Sequence, residues 1–133
     1  MASRVVIDAD FLRKRAEHNE GCLTTLEEIA LHQLNIEKIE NFDKLIRHVK
    51  ILLLQNNLIS KMENLTRLKE LTYLNLALNN IEVIEGLENN ECLEKLDMTC
   101  NFVRLDRFFE SLVNLKQVKS LREVHFMGNP FTE

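Results

Sequence analysis

One spacing recurs along this chain of 133 residues, and it restricts the fold more than any local propensity does. The first copy reads Leu26, Ile29, Leu31, Leu34, Ile36, Ile39 and Phe42. The second reads Val49, Leu52, Leu54, Asn57, Ile59, Met62 and Leu65, and the third Leu71, Leu74, Leu76, Asn79, Ile81, Ile84 and Leu87. A fourth begins Leu93, Leu96, Met98, Asn101, Val103, and a fifth begins Leu121, Val124, Phe126, Asn129, Phe131. The starts at 26, 49, 71, 93 and 121 lie 23, 22, 22 and 28 residues apart.

The pattern L-x-x-L-x-L-x-x-N-x-I/V is that of a leucine-rich repeat, and it predicts an α/β fold. The expected architecture is a right-handed horseshoe solenoid of about five short, 22-residue, Sds22-like repeats with a parallel sheet on its concave face. Leu52 and Leu54 alternate with Leu53, as a short strand requires. The asparagine falls where the chain leaves the strand, where its amide can satisfy backbone groups of adjoining turns. Ile59, Met62 and Leu65, three apart, suit a tight 3₁₀-like return segment pointing inward. One such coil buries too little to hold itself together, so stability comes from neighbours and the end coils need caps.

Residues 1–21 are expected to form a helical amino-terminal cap and 22–133 the repeats. Asp8 or Asp10 can cap a helix through Phe11–Glu17 that stops near Asn19 or Gly21. Phe11 and Leu12, with Ile7 or Ala16, would cover the first coil. Leu34, where an asparagine is expected, fits an atypical end repeat. No covering segment follows Asn129-Pro130, which predicts an uncapped or truncated carboxy-terminal end. After Val103, the residues Leu105, Phe108, Phe109, Leu112, Leu115 and Val118 recur at helical spacing. They predict a longer return segment, α-helical around 107–113, with Asp106 and Ser111 as possible caps and Phe108 and Phe109 in the core.

Composition removes several function classes. The formal charge is −4, which argues against a basic nucleic-acid footprint. The content is 45% apolar and 29% charged, as in globular domains. The longest apolar run, Ile51 to Leu54, is far too short to span a bilayer. The opening Met-Ala-Ser-Arg has no signal-peptide stretch, which predicts an intracellular protein without membrane attachment. Cys22, Cys92 and Cys100 stand apart with no C-x-x-C, and with three glycines and one proline no phosphate-binding loop is spelled out. No cofactor, metal or disulfide is expected.

Chemistry is then left to the outward positions of the strands. The central column reads Ala30, Leu53, Asn75, Asp97, His125; the one before it Glu28, Ile51, Tyr73, Lys95, Glu123; the one after it His32, Gln55, Ala77, Thr99, Met127. Ile51, Leu53 and Tyr73 place apolar and aromatic groups on a face that should be wet, which favours protein contact. Beside them Lys95 should face Glu123, Asp97 His125, and Glu94 Arg122. The expected protein-binding surface is Ile51, Leu53, Gln55, Tyr73, Asn75, Lys95, Asp97 and His125. Asp97 and His125 resemble an acid–histidine pair, but no nucleophile falls within reach and the face is open, so no catalytic residue is expected. His18, His32 and His48 have no metal-ligand spacing.

The short repeat resembles a subclass that includes a phosphatase-1 regulator, the U2 spliceosomal A′ protein and axonemal dynein light chain 1. A closer resemblance covers nearly the whole chain. It rests on Arg15-Ala16-Glu17-His18-Asn19, Leu31-His32-Gln33, Leu52 through Ile59, Tyr73 through Glu82, and Met127-Gly128-Asn129-Pro130. These stretches are similar to the amino-terminal domain of the leucine-rich-repeat dynein axonemal assembly factors, also called leucine-rich repeat testis protein or tilB homologue. The resemblance implies a non-enzymatic cytoplasmic factor that helps preassemble dynein arms for motile cilia or flagella. Its partners would be chaperones and other assembly factors, and its location the cytoplasm and the cilium or its base. It also implies a chain that continues into a charged helical region and a small β-sandwich-like domain. The isolated domain is expected to be monomeric. The alternative is a repeat subunit of a spliceosomal particle or a phosphatase-1 regulator.

Overall fold

A computed structural model describes residues 3–132; Met1, Ala2 and Glu133, the outermost positions of the expected cap and repeat region, lie outside the described residues. Each copy of the repeat folds as one coil that contributes one short strand: β1 (Glu28–Ala30), β2 (Ile51–Leu53), β3 (Tyr73–Asn75), β4 (Lys95–Asp97) and β5 (Glu123–His125). The strands form one five-stranded sheet in chain order, every pair parallel. Ile29, Leu52, Leu74 and Leu96 point inward with no exposed surface, as do Leu31, Leu54, Leu76 and Met98 two residues later. The core is therefore a stack of equivalent leucines, each coil covering the next.

Four asparagines tie the coils together. Asn57 Nδ2 donates to the carbonyls of Leu31 and Leu54, and its Oδ1 accepts from Leu34 and Ile36 N–H. Asn79 donates to Leu54 and Leu76 and accepts from Ile59, and Asn101 donates to Leu76 and Met98 and accepts from Ile81. Asn129 repeats this with Met98, Phe126 and Val103. Each buried amide thus bonds to its own coil and the preceding one, satisfying backbone groups that would otherwise be unpaired.

The residue before each ladder position has positive φ: Gln33 (56°), Asn56 (60°), Leu78 (57°), Cys100 (56°) and Gly128 (77°). This left-handed turn aims the amide at the following coil, as in Leu78 N–H to Thr99 carbonyl at 2.8 Å. The conformation costs an L-residue with a bulky side chain about 1–2 kcal/mol. Leu78 is half exposed, so Leu78→Asn gives up about half the burial of a leucine, roughly 1 kcal/mol, which the relieved strain offsets. Stability is expected to hold within about 0.5 kcal/mol, read as an unchanged urea midpoint and slope.

At the amino-terminal end, α1 spans Ala9–Arg13 and is followed by a 3₁₀ turn at Glu17–Asn19. This is shorter than the expected Phe11–Glu17 helix: Lys14 is the C-cap of α1, and Glu20 and Gly21, both at positive φ, end the 3₁₀ turn that follows. Asp8 is the cap, accepting from Phe11 N–H at 2.9 Å, and Asp10 lies in the first turn. Ile7, Leu12 and Ala16 are buried against the first coil, and Phe11 is half-buried. Arg4 pairs with Glu40 at 2.6 Å, and this hydrogen bond holds the Glu40 carboxyl below its usual range.

The return segments correct the expectation in detail. Ile59, Met62 and Leu65 are buried, but no 3₁₀ helix forms there; Asn64, at φ 60°, turns the backbone and donates to Ile39 carbonyl instead. The first coil carries one helical turn, α2 (Phe42–Leu45). In the fourth coil α3 spans Leu105–Lys116, longer than the expected 107–113. Arg104 occupies its N-cap without a side-chain bond, so neither Asp106 nor Ser111 caps it. Ser111 is buried in mid-helix, accepting from Ile84 N–H and donating to Arg107 carbonyl. Neither expected phenylalanine lies in the buried core: Phe108 is half-buried and stacks on Phe131 at 4.0 Å between ring centres, and Phe109 is 79% exposed. Among the described residues no helix is long and apolar enough to cross a membrane.

Candidate interaction surface

The register places the outward side chains as the repeat spacing predicts. Glu28, Ile51, Tyr73, Lys95 and Glu123 are successive neighbours across the sheet, and so are Ala30, Leu53, Asn75, Asp97 and His125. The third column continues the pairing, with Gln33 N–H to Gln55 carbonyl and Asn56 N–H to Ala77 carbonyl.

Ile51, Leu53 and Tyr73 come together but are half-buried rather than fully exposed. Strands 4.7–4.9 Å apart crowd bulky residues in adjacent rows, so each covers part of the next. Tyr73 is fixed from two sides. Asn75 Nδ2 donates to its hydroxyl at 3.1 Å, and Lys95 Nζ lies 5.0 Å from the ring centre. Asn75 Oδ1 in turn accepts from Ala77 N–H. Gln55 Oε1 is buried beside this cluster without a hydrogen-bond partner among the described residues. An aromatic ring held by two neighbours loses little further freedom on binding, a property of interface anchors.

Of the expected charge pairs, Lys95–Glu123 forms at 3.2 Å and Arg122–Glu94 at 3.6 Å. Asp97 and His125 sit in register but do not pair. Asp97 Oδ1 accepts from the Thr99 hydroxyl and N–H, and His125 Nε2 meets Glu123 Oε2 at 2.8 Å. Their partners two residues along the chain are closer than those across the sheet. His125 first, then Lys95, holds the Glu123 carboxyl below its usual range, and Glu123 raises Lys95. The acid–histidine arrangement that a catalytic reading needs is therefore not assembled.

Two features were missed by reading the sequence. Arg15 and His18 of the cap, with Glu28 and Ala30 of β1, line a shallow cavity of about 360 Å³. His18 bonds Glu28 carbonyl at 2.9 Å, and small Ala30 leaves a dent beside Leu53. The second is the edge where the strands end, which exposes Leu58, Leu78 and Phe102. The signal for it was present in residues flanking the asparagines, which repeat analysis treats as free positions. Elsewhere, hydrogen bonds with Thr24 first, then Thr25, bring the exposed Cys22 thiol down to about 7. Among the described residues no group of three His, Cys, Asp or Glu side chains is gathered to hold a metal.

No protein-family profile matches the chain. Curated relatives do. The chain is 52% identical over 127 residues to dynein axonemal assembly factor 11 of Trypanosoma brucei brucei, covering 96% of this chain and 32% of that protein. It is 55% identical over 130 residues to the same factor of Danio rerio, covering 97% of this chain and 29% of that one. It is 54% identical over 74 residues to protein tilB of Drosophila melanogaster, covering 56% of this chain and 19% of tilB. The chain thus spans about a third or less of the relatives it matches. Among solved structures, a chain of the Drosophila melanogaster SNF/U2A′ complex superposes with TM-score 0.66 at 28% identity, over 79% of this chain and 60% of that one. The functional domain of InlJ from Listeria monocytogenes superposes with TM-score 0.59 at 16% identity, over 77% of this chain and 20% of that one, and shows the fold alone. Repeat spacing, parallel sheet and sequence identity agree that this chain is a leucine-rich repeat domain, 52–55% identical to the matched part of dynein axonemal assembly factor 11 and similar to tilB.

Proposed function

We propose that this domain is a non-enzymatic scaffold that presents its strand face to protein partners during the assembly of axonemal dynein arms. The observation that carries the reading is the half-buried cluster of Ile51, Leu53 and Tyr73 across two hydrogen-bonded strands. It is bordered by Gln55 and Asn75 and by the charged group of Lys95, Asp97 and His125. The names of the relatives supply the process; assembly factors and chaperones are the partners this predicts, acting in the cytoplasm and at the cilium or flagellum. The domain takes no cofactor in this reading, and its own partner contacts are apolar at the centre and polar at the rim.

The test is the full-length protein in flagellated cells with Leu53→Asp and Tyr73→Ala combined. Both side chains point away from the core, so the variant is expected to accumulate normally. Dynein arms counted by electron microscopy should fall at least tenfold, with loss of motility. Normal arms at normal protein abundance would contradict the reading.

A second reading is favoured by the likeness to a chain of the SNF/U2A′ complex: a subunit of a ribonucleoprotein particle. It predicts that the purified full-length protein brings down an RNA-binding chain in stoichiometric amount. The identity of 52–55% to the assembly factors places it second.

A further inference from the structure

We infer that the edge of the solenoid where the strands end is a second protein-docking surface, separate from the strand face, for a partner segment that is apolar and uncharged. The edge consists of the two positions flanking the ladder residue in each coil: 33 and 35, 56 and 58, 78 and 80, 100 and 102, 128 and 130. All ten are exposed, and none is Asp, Glu, Lys or Arg. At the chain's 29% charged content about three would carry charge, and solvent-facing positions are richer in charge than the average. The opposite edge, where the strands begin, shows the usual pattern: Lys50 pairs with Glu27 at 3.4 Å and Arg122 with Glu94 at 3.6 Å.

Within this neutral belt Leu58, Leu78 and Phe102 are 46%, 51% and 52% exposed, and Met127 beside it is 75% exposed. Leu78 is the informative member. Its φ of 57° is a conformation that disfavours leucine, and its coil neighbours hold Asn56 and Cys100 at the same place. A large apolar side chain kept in a strained backbone, with half its surface in water, contributes little to the fold. Strain of this kind is retained where the side chain serves a contact.

Charge selects the occupant. Phosphate backbones and anionic lipid surfaces are bound through lysine and arginine, and the belt offers neither. An acidic or basic peptide would find no counter-charge at these ten positions; Arg104 and Asp106, which border Pro130, pair with each other at 3.6 Å. A neutral protein segment would meet aliphatic and aromatic groups interspersed with the amides of Asn56 and Asn80, the composition of an interface core depleted in charge.

The experiment uses the full-length protein in flagellated cells, with a photo-cross-linking phenylalanine analogue at position 58, or at the exposed Glu88 on the return side as control. The expected result is one protein adduct from position 58, absent from position 88. Its cross-linked peptide should contain apolar residues and no Asp, Glu, Lys or Arg within several positions. Leu78→Asn with Phe102→Asn, which installs residues the same edge carries at positions 56 and 80, should lower the adduct yield at least tenfold while the melting temperature holds or rises. Since neither substitution touches the strand face, the outcome is independent of the Leu53 and Tyr73 test. No adduct, a lipid adduct, an adduct to a second copy of this chain, a charged cross-linked peptide, equal yield from position 88, or undiminished yield in the double variant would each overturn the inference.

Discussion

Replacing Asn79 by alanine is expected to destabilise the domain by about 4 kcal/mol and to lower its melting temperature by roughly 10–20 °C. Asn79 is 2% exposed. Its amide donates to the carbonyls of Leu54 at 3.0 Å and Leu76 at 3.1 Å, and its carbonyl accepts from Ile59 N–H at 3.0 Å. Alanine leaves the Ile59 N–H buried without a partner, costing about 1–3 kcal/mol, while the Leu54 and Leu76 carbonyls keep the amides of Asn57 and Asn101 and lose one bond each, about 0.5–1.5 kcal/mol apiece. Asn79→Asp retains the acceptor but loses both donor bonds and buries a charge, so it should be no better than alanine. Leu34, the leucine at the corresponding position of the first coil, does not contradict this. Its coil has no earlier repeat to bond to, and its own N–H is satisfied by Asn57 from the coil after it.

The second large effect concerns the stacked leucines. Leu74 lies in the central strand with no exposed surface, between Leu52 and Leu96. Leu74→Ala is expected to cost about 3 kcal/mol, the transfer energy of the lost groups plus that of a cavity enclosed on both sides. Val124 occupies the same place in β5 but is half-buried. Val124→Ala should therefore cost about 1 kcal/mol. Guanidinium unfolding of both variants measures the difference directly. Equal costs would mean that the coils do not depend on their neighbours. In a solenoid each coil's stability is shared with those on either side, so a core deletion in the middle weighs more than the smaller one at the end by more than the difference of one methylene.

How far the sequence foretold this structure depends on which force acts at each position. Leu52, Leu54, Leu74 and Leu76 were legible because burial repeats with the coil, and a periodic force leaves a periodic trace. The asparagine ladder was legible for the same reason, and the column register of the outward face followed from it. Phe109 was not. Apolar residues at 105, 108, 109, 112 and 115 are spaced for a helix, but they occupy more of its circumference than one buried stripe. Spacing alone does not say which of two adjacent phenylalanines turns inward. Contact with Phe126 and Phe131 of the last coil decides for Phe108. Asp97 and His125 show a different limit: the register was right, but Thr99 and Glu123, each two residues away along the chain, engage them first. The strained Leu78 left no trace at all, since backbone φ is not written in hydrophobic pattern.

The central claim is that the coils form one cooperative unit through the asparagine ladder, on which the outward surfaces depend for their rigidity. Native-state hydrogen exchange tests it most directly at the amides of Ile59, Ile81 and Val103, each bonded to the ladder asparagine of the next coil. These amides should exchange with the same free energy as those of Leu54, Leu76 and Met98, which bond to the last residue of the next strand, equal to that of global unfolding. Exchange of the ladder amides through local opening, several kcal/mol below the sheet amides, would contradict it.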